Sequence, residues 1–284
     1  MLRPVASYGS SIFLYQIFGS LIHLFERAWI TRHYGADTAA YYLVPMALAT
    51  YFHGFASNLM AATFPALNDL LSDRARLLEL YKKSTKLLVA LTVLFLLSIY
   101  FGGKSFLSLW IDPQFGESSY RMLWIHASTF GLIAVVIGMW QINEVFHAPR
   151  INSLLAATWA VITVVLIVSI SSRWGPEGVA ASRLIGVAVT MPAILLVEKR
   201  FLGGVQWRFW GAIIIRIFAA AIALALVEYS VFSWTDLEGW VELIVAWVCG
   251  TLTYFLVLGV AGFVTQDEKA AILSLFGLYK ARLE

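Results

Sequence analysis

The chain has 284 residues, of which 60% are hydrophobic, 15% aromatic and only 13% charged, and its mean hydropathy is +0.79. That leaves too little polar surface to cover a water-soluble globule of this size, so the composition excludes an ordinary soluble domain and makes lipid the solvent. The formal net charge of +3 carries less information than the distribution of charge between two membrane faces, and it implies no nucleic-acid partner.

A membrane-crossing helix needs about 20 mostly apolar residues. Stretches of that kind lie at 8–30, 39–64, 85–102, 120–142, 151–171, 179–197, 210–229 and 240–264. The expected fold class is an all-α integral membrane protein with about eight transmembrane helices. Arg3 precedes the first stretch, but no small-x-small cleavage site follows, and His23, Glu26 and Arg27 stand where one would end; the stretch reads as an uncleaved span. Along it Gly9, Gln16, Ser20, His23 and Arg27 recur at helical spacing on one face, with Glu26 at its flank. Two readings fit: a polar lining that meets an anionic head group, or a Glu26–Arg27 pair near the helix end that snorkels to the interface.

His33 and Asp37 flank Gly35 and read as turn polarity. The second stretch places Thr50, His53 and Ser57 on a common face. Residues 68–83 alternate leucines with charges and predict a short amphipathic helix on the membrane surface. Asp112-Pro113 and Gly116 predict a turn before the fourth stretch, in which His126 reads as a packing residue, with Asn143 and Glu144 near its inner end. In the sixth stretch Arg183, Gly186 and Thr190 share a face and Pro192 predicts a kink. Arg216 and Glu228 lie near the ends of the seventh, within snorkelling reach. The single cysteine, Cys249, excludes an intrachain disulfide and reads as packing within the last span. The tail 267–284 reads as a helix at the interface.

With the N-terminus on one side and the spans alternating, that side collects Arg74, Arg76, Lys82, Lys83, Lys86, Arg150, Lys199, Arg200 and Arg208, while the loop carrying Asp236 and Glu238 has no basic residue. The asymmetry predicts both termini in the cytoplasm. Trp110, Trp174, Trp207, Trp234 and Trp240 mark membrane depth. No HExxH, GxSxG, GxxxxGK[ST] or GxGxxG occurs, so no catalytic residue, metal site or cofactor is assigned.

The run Thr63-Phe64-Pro65-Ala66-Leu67 with its basic connector through Tyr81-Lys82-Lys83, the Leu107 to Gly116 turn, Ala148-Pro149-Arg150 and Gly175-Pro176-Glu177-Gly178-Val179-Ala180-Ala181-Ser182 resemble, in order, segments of O-antigen and exopolysaccharide flippases. Glu26-Arg27 through Tyr34-Gly35 and Tyr41 resembles the opening of that family's second lobe, with Glu26 where Asp is usual. The resemblance implies a six-helix lobe over 1–200 and two additional helices with a cytoplasmic tail over 201–284. It implies translocation of an undecaprenyl-diphosphate-linked oligosaccharide across the bacterial inner membrane, without covalent chemistry, by a truncated or split transporter.

The expected partners are the lipid-linked oligosaccharide, membrane lipid, and either a missing amino-terminal lobe or a second copy. Candidate path residues are Gln16, Ser20, His23, Glu26, Arg27, Thr50, His53, Ser57, Arg183 and Thr190, with Arg27 and Arg183 attracting phosphate and Glu26, His23 and His53 coupling to a cation. The alternatives are a glycan polymerase or acyltransferase, which would carry a long outer loop or a His-acid site, and a lipid II or drug exporter of the same superfamily.

Overall fold

The computed structural model describes residues 2–234, 239–265 and 268, and the regular elements among them are helical, with no strand. The chain divides into two compact units, Met1–Trp207 and Arg208–Glu284.

The first unit opens with α1 (Leu2–Ala61), which turns sharply at Gly35, where φ is 83° and ψ 174°; a residue with a Cβ would be strained there. After α2 (Thr63–Asp69) and a single 3-10 turn (Leu70–Ser72) come α3 (Arg74–Trp110), α4 (Pro113–Val135) and α5 (Ile137–Val145). Then α6 (Pro149–Thr190) turns at Gly175, with φ 59° and ψ −151°, ahead of Pro176, and α7 (Ala193–Phe201) follows the break at Pro192.

Among the described residues, five helical stretches are long and apolar enough to cross a membrane: Arg74–Trp110, Pro113–Val145, Pro149–Phe201, Trp207–Trp234 and Gly239–Val260. α1 is not one of them, because Gln16, His23, Glu26, Arg27, His53 and its tyrosines dilute both of its arms.

The amphipathic segment expected over 68–83 is not a separate helix. Its first residues close α2 and the 3-10 turn, and Asp73 starts a new helix that runs without interruption to Trp110. The Asp73 carboxylate accepts from the Arg76 backbone N–H at 3.1 Å, and this cap, invisible to periodicity alone, sets the boundary. Asp112 does the same for α4, accepting from Phe115 N–H at 2.8 Å with Pro113 in the first turn. Asp112→Ala is expected to destabilise the first unit by about 1 kcal/mol and Asp112→Asn by less, read as thermal unfolding in detergent.

α3 and α4 pack as a hairpin, tied by Trp124 Nε1 donating to the Ile99 carbonyl at 3.2 Å and by the Lys104–Glu117 ion pair. The core surrounds the two glycine turns: Ile30, Ala39, Tyr42 and Met46 of α1 meet Phe130 of α4 and Ile167, Val179 and Ala180 of α6. Trp29 Nε1 and Tyr34 Oη donate to Ser171 Oγ and O at 3.2 and 2.7 Å, which fastens the arm of α1 before Gly35 to the arm of α6 before Gly175. Phe13, Leu24, Tyr51 and Phe55 remain exposed, as expected of faces that meet lipid.

The second unit contains α8 (Trp207–Trp234) and α9 (Gly239–Val260), which bury Ala220, Leu224, Ala246 and Tyr254. Glu228 does not snorkel: it is fully buried against Gly250, whose missing side chain makes the room. Cys249 is exposed on the surface of α9 rather than packed inside. Apart from Glu268, the tail expected at the interface lies outside the described residues, as do Asp236 and Glu238.

Candidate functional site

A cavity of about 610 Å³ opens inside the first unit, between both arms of α1, α4, α5 and α6, its largely apolar wall carrying a cluster of polar side chains. Seven of the residues expected from the sequence converge on it: Gln16, Ser20 and His23 from the first arm of α1, Thr50, His53 and Ser57 from the second, and Arg183 from α6. The helical repeat accounts for the first two groups, since each is spaced by three or four residues along its arm. Thr50 Oγ1 donates to the Met46 carbonyl at 2.8 Å, and Ser57 Oγ lies 3.4 Å from His53 Nε2.

Arg183 is the one permanently charged group among these seven side chains, and it is 1% exposed. Its Nη1 donates to Glu26 Oε2 at 2.9 Å, and Glu26 itself is fully buried. The guanidinium also meets the His23 ring, with Nη2 2.9 Å from Nε2 and Nη1 3.3 Å from Nδ1. A ring nitrogen that accepts from a guanidinium belongs to neutral imidazole. The guanidinium carbon lies 4.7 Å from the Phe130 ring centroid and 5.6 Å from that of Trp159, so aromatic faces supply the rest of its solvation. Close approach at Gly186, one turn beyond Arg183, brings α6 onto itself: an added Cβ would overlap Thr163 Oγ1.

Of the two readings of Glu26 and Arg27, the local pair gives way to this long-range one. Adjacent residues on a helix point about 100° apart, so Glu26 turns inward to Arg183 while Arg27 is exposed and does not line the cavity. Thr190 does not line it either; its hydroxyl donates to the Val187 carbonyl at 2.7 Å.

Sequence reasoning missed Tyr15, Gln141 and Glu144 as lining residues. Tyr15 Oη donates to Glu144 Oε1 at 2.9 Å, and Asn152 Nδ2 lies 3.4 Å from the same oxygen. Gln141 Nε2 donates to the Met60 carbonyl at 2.8 Å and its Oε1 accepts from Thr63 at 3.1 Å, tying α5 to the end of α1. The signal was present for Tyr15, which shares the stripe of Gly19 and His23 at steps of four. His33 and Asp37 are exposed at the Gly35 turn, with His33 Nδ1 2.9 Å from the Trp29 carbonyl. Among the described residues no group of three His, Cys, Asp or Glu side chains is placed to hold a metal ion.

The helical fold of the chain is similar to that of a solved structure. "Lipid II flippase MurJ, inward closed conformation" matches with a TM-score of 0.70 at 13% sequence identity, covering 89% of this chain and 52% of that one. The likeness is one of fold. The chain spans about half the length of this flippase structure. No protein-family model and no curated protein matches the sequence.

Proposed function

We propose that this chain forms half of a membrane transporter that moves a lipid-linked saccharide, carried on undecaprenyl diphosphate, between the leaflets of the bacterial inner membrane, both termini lying in the cytoplasm. The observation that carries the reading is Arg183, a buried cation on the wall of a cavity that also holds a cluster of polar side chains, with Glu26 as its counter-ion, in a fold shared with a lipid flippase. The diphosphate and sugars cannot enter hydrocarbon unaided, and such a cavity replaces their hydration while the tail stays in lipid. The transport is non-covalent, so the chain is not an enzyme. Gln16, Ser20, His23, Thr50, His53 and Ser57 form the lining, and His23 sits where a change of charge would bias the Arg183–Glu26 pair.

Eight crossings fit the lengths. α1, with 60 residues, would reach about 90 Å if straight, against about 30 Å of hydrocarbon, so its turn at Gly35 makes two spans of it; the turn at Gly175 does the same for Pro149–Phe201. Residues 1–200 then form a six-helix lobe and 201–284 two further helices. A second lobe, from additional chain, a separate subunit or a second copy, completes the cavity, because alternating access needs two bundles. Lipid II is the second reading of the substrate, favoured by the structural likeness.

The test is translocation in proteoliposomes holding the complete assembly, with an undecaprenyl-diphosphate oligosaccharide and lipid II as parallel substrates. Glu26→Gln combined with Arg183→Gln, which keeps an uncharged hydrogen-bonding pair, should lower the rate at least about tenfold. Arg27→Gln should leave it within about twofold. Translocation of neither substrate overturns the reading.

A further inference from the structure

A second cavity, of about 1010 Å³, lies in the same unit where α1 begins and where α5 hands over to α6. Its lining includes Arg150, Arg200 and His147, with Asn68 beside them and Leu154 at an exposed apolar edge. The turn that builds it is specific. α5 ends with Ala148 N–H bonded to the Asn143 carbonyl at 2.7 Å and His147 N–H to the Glu144 carbonyl at 3.0 Å, and His147 adopts φ 55°, a left-handed conformation usually taken by glycine. The chain therefore reverses within two residues and places Arg150 in the first turn of α6, where no side chain caps the helix.

A third arginine, Arg74, packs behind the turn without lining the cavity. The Arg74 guanidinium lies 4.2 Å from the Phe146 ring centroid, and its Nη1 donates to the Phe201 carbonyl at 3.3 Å, beside Arg200. Two nearby carboxylates have hydrogen-bond partners of their own. Glu198 is buried and accepts from Tyr81 Oη at 3.0 Å and Gln206 N–H at 2.9 Å. Glu144 lines both cavities, but its Oε1 is held by Tyr15 at 2.9 Å and faces Asn152 at 3.4 Å. Along α1, Tyr8 and Ser11 face this second cavity, while Tyr15, Gly19 and His23 face the first, so one helical face serves both.

We propose that the second cavity is a separate receiving site for the diphosphate of a lipid, in series with the Arg183 cavity and divided from it by the Tyr15–Glu144 pair. Arg150 and Arg200 bind the anion, and the apolar edge at Leu154 admits the first part of the chain attached to it. The diphosphate and the series arrangement rest on the proposed function; an anion site with an apolar edge does not.

The test uses the full chain in detergent with a photoreactive farnesyl diphosphate analogue, the labelled positions being located by mass spectrometry. Label is expected on residues 148–154, falling at least threefold in the Arg150→Gln, Arg200→Gln variant, both of whose positions are exposed and outside the packed core. Excess unlabelled farnesyl diphosphate should compete and inorganic pyrophosphate should not. Equal labelling by the matching farnesol analogue would show an apolar groove and overturn the anion site, and full competition by pyrophosphate would overturn its assignment to a lipid. Label that persists in the double variant also overturns it. Translocation by the complete assembly without label at 148–154 removes this site alone, whereas label without translocation leaves the site standing and removes the transport reading.

Discussion

Arg183→Gln alone is expected to yield far less folded protein than the same exchange made together with Glu26→Gln. Arg183 and Glu26 are 1% and 0% exposed, and their 2.9 Å ion pair joins α6 to α1. Removing the cation leaves a carboxylate in a site that Phe130, Trp159 and Tyr42 make largely apolar. Breaking a buried pair in this way costs about 3–5 kcal/mol because it leaves an uncompensated charge, which exchanging both partners for uncharged groups avoids. The single variant should therefore lose most of its thermal stability in detergent and the double variant should recover most of it, while translocation stays low in both. Equal unfolding temperatures for the single variant and the parent would mean that the pair does not hold the two helices together.

The same pair shows what the sequence can and cannot reveal. Helical spacing on each arm of α1 is a local property, so Gln16, Ser20 and His23, and separately Thr50, His53 and Ser57, were legible as two polar faces. That the two faces meet depends on the turn at Gly35, and a lone glycine fixes neither the angle nor the partner. Glu26 and Arg183 stand 157 positions apart, and nothing in either neighbourhood specifies the other. Proximity in sequence offered Arg27 as a partner, one of two readings that fitted, although neighbours on a helix face different ways.

Glu144 was read as polarity near a helix end because its partner, Tyr15, carries an apolar ring that also suits an interface. The merging of residues 74–83 into α3 was hidden for a related reason: an amphipathic pattern continued by an apolar one has no break, and only the Asp73 cap marks where the helix starts.

Gly186→Leu should abolish the Arg183 cavity. A Cβ on residue 186 would overlap Thr163 Oγ1 and press on the ring and the backbone carbonyl of Trp159, both in the arm of α6 before Gly175. The hydroxyl has a rotamer to move to, but the carbonyl does not, so relief requires the two arms of α6 to separate. Gly186→Ala forces a small separation, for which overpacking typically costs about 1–3 kcal/mol. Thr163→Ala in the same chain should return part of that, since Oγ1 is the nearest atom, and the Trp159 carbonyl should set the limit of the recovery. Leucine adds three more carbons, and Arg183, one turn away on the same helix, is carried off Glu26 as the arms part. Thermal unfolding of the three variants orders them: Gly186→Leu lowest, Gly186→Ala above it, and the Ala–Ala pair nearest the parent. A Gly186→Leu chain as stable as the parent would show that the arms of α6 are not in contact at this position.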